Sequence, residues 1–95
     1  GREWRYVVVN RKIVAGSAYQ ADGRAALPDD SRGPSWAFAA EIAAEMQPPE
    51  AIYVLDVCES ESRLWLLEVN PFSGADLYAC DAGAVVAAVA ALLEA

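Results

Sequence analysis

Glu68 and Asn70 stand two residues apart near the end of an otherwise apolar run, Leu66-Leu67-Glu68-Val69-Asn70-Pro71-Phe72-Ser73. Side chains alternate across an extended strand, so the carboxylate and the amide project to one face while Leu67 and Val69 project to the other. Hard oxygen donors paired on an apolar rim suit a magnesium ion. A third oxygen donor, Asp56, sits in the run just before, Ile52 to Val57. If a three-residue loop, Ser60 to Ser62, joins the two strands, Asp56 falls on the Glu68 face, diagonal to Glu68 at roughly 7 to 8 Å between backbones. A two-residue loop puts it on the opposite face, because a register slip of one residue inverts every side chain. Magnesium takes about six oxygens, usually one or two carboxylates with phosphates and waters, so Asp56, Glu68 and Asn70 make a complete shell only with a nucleotide. Taken singly, each residue also has a plain reading: Asp56 as a turn cap or an arginine's partner, Glu68 as a rim charge facing water.

The elements that must position these groups read in the order ββαββα. Residues 3 to 9, Glu3-Trp4-Arg5-Tyr6-Val7-Val8-Val9, and residues 12 to 19 are rich in β-branched and aromatic side chains and flank Asn10-Arg11, which predicts a hairpin. Asn suits a tight turn, while Arg11 occupies a position where glycine is easier, so the turn type stays open. Residues 20 to 34 hold Asp22-Gly23, Pro28-Asp29-Asp30 and Gly33-Pro34, the densest group of breakers, and are expected to form a mobile surface loop. Ser35 stands at an expected N-cap for a helix over Trp36 to Met46, which Pro48-Pro49 ends. Ile52 to Val57 and Leu64 to Asn70 read as an antiparallel pair, since the link between them is too short for a crossover. A last helix is expected from about Ala82 to Leu93, with Asp81 as its cap and Val85, Val89 and Leu92 on one stripe. These elements predict an α+β domain: a four-stranded, mainly antiparallel sheet with both helices on one face and the polar rim on the other.

Composition narrows the functions available. The chain has 95 residues, 56% of them hydrophobic, which is enough for one domain with a modest core. A net charge of −7 without a basic cluster speaks against nucleic acid, and Trp4, Trp36 and Trp65 are then core or interface residues rather than stacking platforms. No apolar run reaches the roughly 18 to 20 residues of a membrane span, so the expectation is a soluble, cytoplasmic protein. There is no histidine, and neither Cys58 nor Cys80 sits in a CxxC pair. Zinc motifs, Ser-His-Asp and Cys-His chemistry are therefore out of reach, Ser17 and Ser73 lack an obvious base, and both thiols are expected reduced and packed.

The paired segments Val54-Leu55-Asp56-Val57 and Leu66-Leu67-Glu68-Val69-Asn70-Pro71 resemble the metal-binding hairpin of the ATP-grasp superfamily. The resemblance implies that Asp56, Glu68 and Asn70 hold the magnesium ions that bridge ATP phosphates. Glu3-Trp4-Arg5, Ser17-Ala18-Tyr19 and Leu77-Tyr78 are similar to a branch of that superfamily with a Glu-aromatic-Arg strand, a Ser-x-Tyr strand and a Leu-Tyr pair. It implies Arg5 as the catalytic, phosphate-contacting residue. Many members carry an arginine two residues before the metal-binding aspartate. This chain has Val54 there, and Arg5 is the available replacement. Leu66, assigned by alternation to the Glu68 face, would line the adenine pocket, although leucine on a strand is more often plain core.

With one lysine, Lys12, and no glycine-rich flap, the chain looks like the C-terminal half of the fold. Its implied partners are an N-terminal ATP-grasp lobe and a small-molecule or peptide carboxylate, and its implied cofactors are ATP and Mg2+. The implied activity is ATP-dependent ligation of a carboxylate to an amine or thiol through an acyl phosphate, with this half silent alone. A rival expectation is a noncatalytic α+β module that forms a homodimer or docks on a partner, because a severed lobe exposes sheet edge and apolar surface.

Overall fold

In a computed structural model, residues 2–19, 27–29 and 33–94 are described. Five strands form one antiparallel sheet: β1 (Glu3–Val9), β2 (Lys12–Tyr19), β3 (Leu27–Pro28), β4 (Ile52–Ser60) and β5 (Arg63–Pro71), in the spatial order β3-β2-β1-β4-β5. The expectation of four strands is corrected by β3, which pairs Leu27 and Pro28 with Ala18 and Ser17 inside the segment expected to be a loop. Pro28 is tolerated because β3 is an edge strand, where a missing N–H breaks no inner ladder. Most of the expected 20–34 loop lies outside the described residues.

Both hairpins close with two-residue turns. Asn10 and Arg11 have φ of 50° and 68°, Glu61 and Ser62 of 56° and 63°, so both turns have positive φ at both central residues. That is the type I′ geometry whose twist matches the strands it joins. Three of these four residues are not the usual Gly, Asn or Asp, and the long ladders on either side hold them there. Each hairpin then carries a bulge. In the first, Val8 pairs with Ile13 but Val7 with Ala15, which leaves Val14 as the extra residue on β2. In the second, Val57 pairs with Leu66 but Asp56 with Glu68, which leaves Leu67 extra on β5. The two-residue loop, which by itself would have sent Asp56 away from Glu68, is compensated by a one-residue bulge that restores the shared face.

Alternation on β1 separates two cores. Trp4, Tyr6 and Val8 pack with Tyr53, Leu55 and Val57 against Ala39 and Ala43 of α1 (Pro34–Glu45). Val7 and Val9 pack with Ala15, Val54 and Cys80 against Val85 of α2 (Ala82–Glu94). The helices therefore lie on opposite faces, and the expected arrangement with both on one face is corrected. The run Tyr6-Val7-Val8-Val9 is buried on both sides, as a strand between two layers must be. Ser35 does not cap α1. Gly33 occupies the cap without a side-chain bond, Pro34 opens the helix, and buried Ser35 faces the Tyr6 hydroxyl at 2.8 Å. Asp81 does cap α2, its Oδ1 accepting the Ala84 N–H at 3.1 Å. No helix among the described residues is long and apolar enough to cross a membrane.

Candidate functional site

The two bulges align one polar residue from each of four neighbouring strands: Ser17, Arg5, Asp56 and Glu68 pair in sequence across β2, β1, β4 and β5. The row lies on the α2 face, one step beyond the apolar row Ala15, Val7 and Val54 that α2 covers. Its centre is a buried ion pair. Arg5 donates from Nε to Asp56 Oδ1 at 2.8 Å and from Nη2 to Oδ2 at 2.7 Å, a bidentate fork, and Asp56 is 1% exposed. Such forks add geometric specificity to their strength. Hydrogen bonding to Asp56 raises the Arg5 pKa above its already high value, with burial opposing, so the charge on Arg5 is permanent.

A strap running from Phe72 to Cys80 closes over this pair. Arg5 Nη1 donates to the Asp76 carbonyl at 2.9 Å, the Ala79 N–H donates to Ser17 Oγ at 3.0 Å, and the Cys80 thiol reaches the Arg5 carbonyl at 3.7 Å. Tyr78, held at φ 50°, places its ring 5.1 Å from the Arg5 guanidinium and stacks on Tyr19, with centroids 4.4 Å apart and planes 11° from parallel. The Tyr19 hydroxyl lies 3.4 Å from Asp56 Oδ2. Burial, then the Asp56 charge, raises the Tyr19 pKa, so this hydroxyl keeps its proton. Between strap and sheet opens a cleft of about 280 Å³ lined by Arg5, Asn70, Ser73, Gly74 and Asp76. A larger hollow of about 490 Å³, beside Gly16, Asp29, Trp36 and Asp81, lies at the β2 edge and shares none of these groups.

Of the residues singled out from sequence, Arg5, Asp56, Glu68 and Asn70 come together on one face. Asp56 faces Glu68 directly rather than diagonally, and Asn70 is one step along, opposite Val54. The Glu68 side chain is 53% exposed, with Oε1 4.0 Å from Arg5 Nη2. Leu66 departs from the group. The bulge breaks the alternation, so Leu66 pairs with Val57, whose side chain belongs to the α1 core, and its assignment to the Glu68 face is corrected. As a donor set, two carboxylates and an amide oxygen match the hard-oxygen preference of magnesium. Glu68 and Asn70 are accessible for that role, whereas both Asp56 oxygens already accept bonds from Arg5. Among the described residues, no three Asp, Glu, Cys or His side chains cluster as a ligand group.

Sequence reasoning missed the contributions of Ser17, Tyr19, Asp76 and Tyr78 to the site. Ser17 and Tyr19 share a strand parity, a readable signal, but only the Val14 bulge brings that parity onto the Arg5 face. Neither a curated protein nor a solved structure matches the chain. A family model described as "ATP-grasp domain, R2K clade family 2" matches residues 1–88, which span all five strands and the first half of α2. This chain, with its Arg5, Asp56, Glu68 and Asn70 gathered on one sheet face, belongs to the ATP-grasp superfamily.

Proposed function

We propose that this chain forms the C-terminal wall of an ATP-grasp nucleotide site, in a ligase that joins a small-molecule or peptide carboxylate to an amine or thiol through an acyl phosphate. The observation that carries the reading is the polar row Arg5–Asp56–Glu68, with Asn70 beside it, opening onto the cleft under the strap. Glu68 and Asn70 offer oxygens to the cation from the exposed strand. Asp56, shared with Arg5, completes the set from β4. Arg5 borders the cleft and supplies a permanent positive charge for a phosphate oxygen. Bound magnesium supplies neutralisation of phosphate charge. Leu66, on the α1 side of the sheet, is left out of the proposed site.

Phosphoryl transfer rests on positioning and on cations placed around the phosphates from several sides. This chain's single lysine, Lys12, sits beside the first turn, at the opposite end of β2 from Tyr19. The remaining cations then come from a partner N-terminal lobe, and the chain alone is catalytically silent. The two free thiols suit a reducing cytoplasm. One observation favours a second reading: Trp65, Leu66 and Leu67 are each close to half exposed along the nine-residue edge strand β5, a surface fit for a homodimer or a docked lobe.

Thermal unfolding with and without Mg2+-ATP separates the readings. Saturation to about ten times Kd stabilises by about 1.4 kcal/mol, a rise of several degrees. The rise is expected in the wild-type chain and lost in Glu68→Gln with Asn70→Ala. Absence of any rise, or a rise that survives Asp56→Asn with Glu68→Gln, overturns the nucleotide reading, and concentration-dependent melting without ligand favours the dimer.

A further inference from the structure

We infer that Tyr19 and Tyr78 are positioning residues, an aromatic clamp that holds the Arg5 guanidinium at the mouth of the cleft for a phosphate-bearing ligand. The inference rests on the nucleotide reading and deepens it. Arginine carries five N–H donors. In Arg5, Nε and one N–H of Nη2 go to Asp56, and one N–H of Nη1 goes to the Asp76 carbonyl, which leaves one on each terminal nitrogen for a ligand in the cleft. A long arginine stem has many rotamers, and two free donors are useful only if the guanidinium plane is held in one orientation. Asp56 alone is a poor holder, because a cation beside Glu68 competes for the same carboxylate oxygens. The clamp does not share that weakness. Tyr78 grips Arg5 through its ring face, 5.1 Å from the guanidinium carbon, and attraction between a cation and a ring needs no help from Asp56. Tyr19 backs the Tyr78 ring in a near-parallel stack and places its hydroxyl by Asp56 Oδ2, linking the clamp to the second partner of Arg5. Tyr78 is fixed in turn from below: its N–H donates to Asp76 Oδ1 at 2.7 Å, and the adjacent Ala79 is tied to Ser17 on β2. Aromatic rings placed for solubility or simple packing would not need both ties and a left-handed backbone at Tyr78.

The test uses the full chain with Tyr78→Phe, Tyr78→Leu and Tyr19→Leu, and two readouts. Side-chain nitrogen NMR, with Arg5 assigned through Arg5→Lys, reports whether its terminal nitrogens give separate signals, as in a held guanidinium, or averaged ones. Calorimetry reports Mg2+-ATP affinity. With Mg2+ present to compete for Asp56, separate Arg5 signals are expected in the wild type and in Tyr78→Phe, averaging in either leucine variant, and Mg2+-ATP affinity weakened on the order of tenfold in the leucine variants only, the factor a desolvated cation–ring contact carries. If Tyr78→Leu does not fold, Tyr19→Leu, which unstacks the clamp from its outer side, carries the same expectation. Averaged Arg5 signals in the wild type, or unchanged affinity in a folded leucine variant, overturn the clamp while the nucleotide reading stands. No Mg2+-ATP binding by the wild type overturns that reading and the positioning role with it.

Discussion

Replacing Arg5 by methionine tests the centre of the site most directly. The substitution keeps an unbranched apolar stem against Tyr78 but removes both bonds to Asp56, which is 1% exposed and would retain only the Tyr19 hydroxyl at 3.4 Å. Glu68, directly opposite, adds a like charge. Breaking a buried pair from one side leaves an uncompensated charge and costs about 3–5 kcal/mol. The total stability of a chain this size is roughly 5–14 kcal/mol, so Arg5→Met is expected to remove about a fifth of it or more. At about 4–8 °C per kcal/mol the midpoint falls by on the order of 20 °C.

Two further arms make the expectation specific. Arg5→Met with Asp56→Leu recovers most of the loss, because replacing both charges by apolar side chains leaves nothing buried and unpaired, and the coupling appears in the double-mutant cycle. On the proposed site, a divalent cation at Asp56 and Glu68 would supply the missing positive charge: with Mg2+ at about ten times Kd, Arg5→Met is expected to regain about 1.4 kcal/mol. Arg5→Met with Glu68→Gln regains nothing. The assay is urea or thermal unfolding across a magnesium titration. A cost below about 1 kcal/mol would mean that Arg5–Asp56 behaves as an exposed ion pair and would refute the reasoning from burial, and full magnesium indifference would refute the cation placement.

Gly16→Ala is expected to cost about 2–3 kcal/mol through overpacking, since a Cβ there would sit 2.5 Å from Tyr6 Cε1 and 3.0 Å from the Asp29 carbonyl, and Tyr6 is held by Asp29 and Ser35; a melting midpoint within a degree or two of wild type would contradict it. Burial raises the pKa of Tyr6, Tyr19 and Tyr53 above the ordinary 10, so the unfolded chain binds fewer protons than the fold once pH exceeds 10. Stability from these phenols is complete below that pH and falls as pH rises past it; phenolate absorbance should lag unfolding, and ionisation of all four tyrosines before unfolding would count against it. Burial lifts the Cys80 thiol to about 11, whereas Cys58 is only half-buried, so maleimide at neutral pH is expected to label Cys58 and spare Cys80 until the chain unfolds, as peptide mapping will show.

Much of the fold was legible because its signals are local. The Asn10-Arg11 turn, the Pro48-Pro49 stop and the Asp81 cap depend on neighbours in sequence. What escaped depends on partners far along the chain. Val14 and Leu67 look like any strand residues, yet as bulges they decide which face Ser17, Tyr19 and Glu68 present. Ser35 has the composition of a cap, but the Tyr6 hydroxyl beneath it gives it a buried partner and leaves capping to Gly33. The placement of helices on opposite faces has a signal in the sequence as well: four consecutive apolar residues from Tyr6 to Val9 leave no face of β1 for water. Asp56 fits both of its sequence readings at once, as an arginine's partner and as a carboxylate on the Glu68 face.

The electrostatics of the row favour a particular state of the ligand. Arg5 and Asp56 neutralise one another, so the charge the row presents to solvent is that of Glu68, on a chain of net charge −7. A free nucleotide triphosphate approaches against this field, while a divalent cation, or a nucleotide already carrying one, approaches with it. The expected consequence is a steep dependence of nucleotide affinity on magnesium and a weaker one on Arg5. Affinity for ATP in chelator below that for Mg2+-ATP by less than about tenfold, the loss expected from releasing Arg5, would contradict this ordering, since screening at physiological salt weakens exposed charges but leaves a directly shared cation intact.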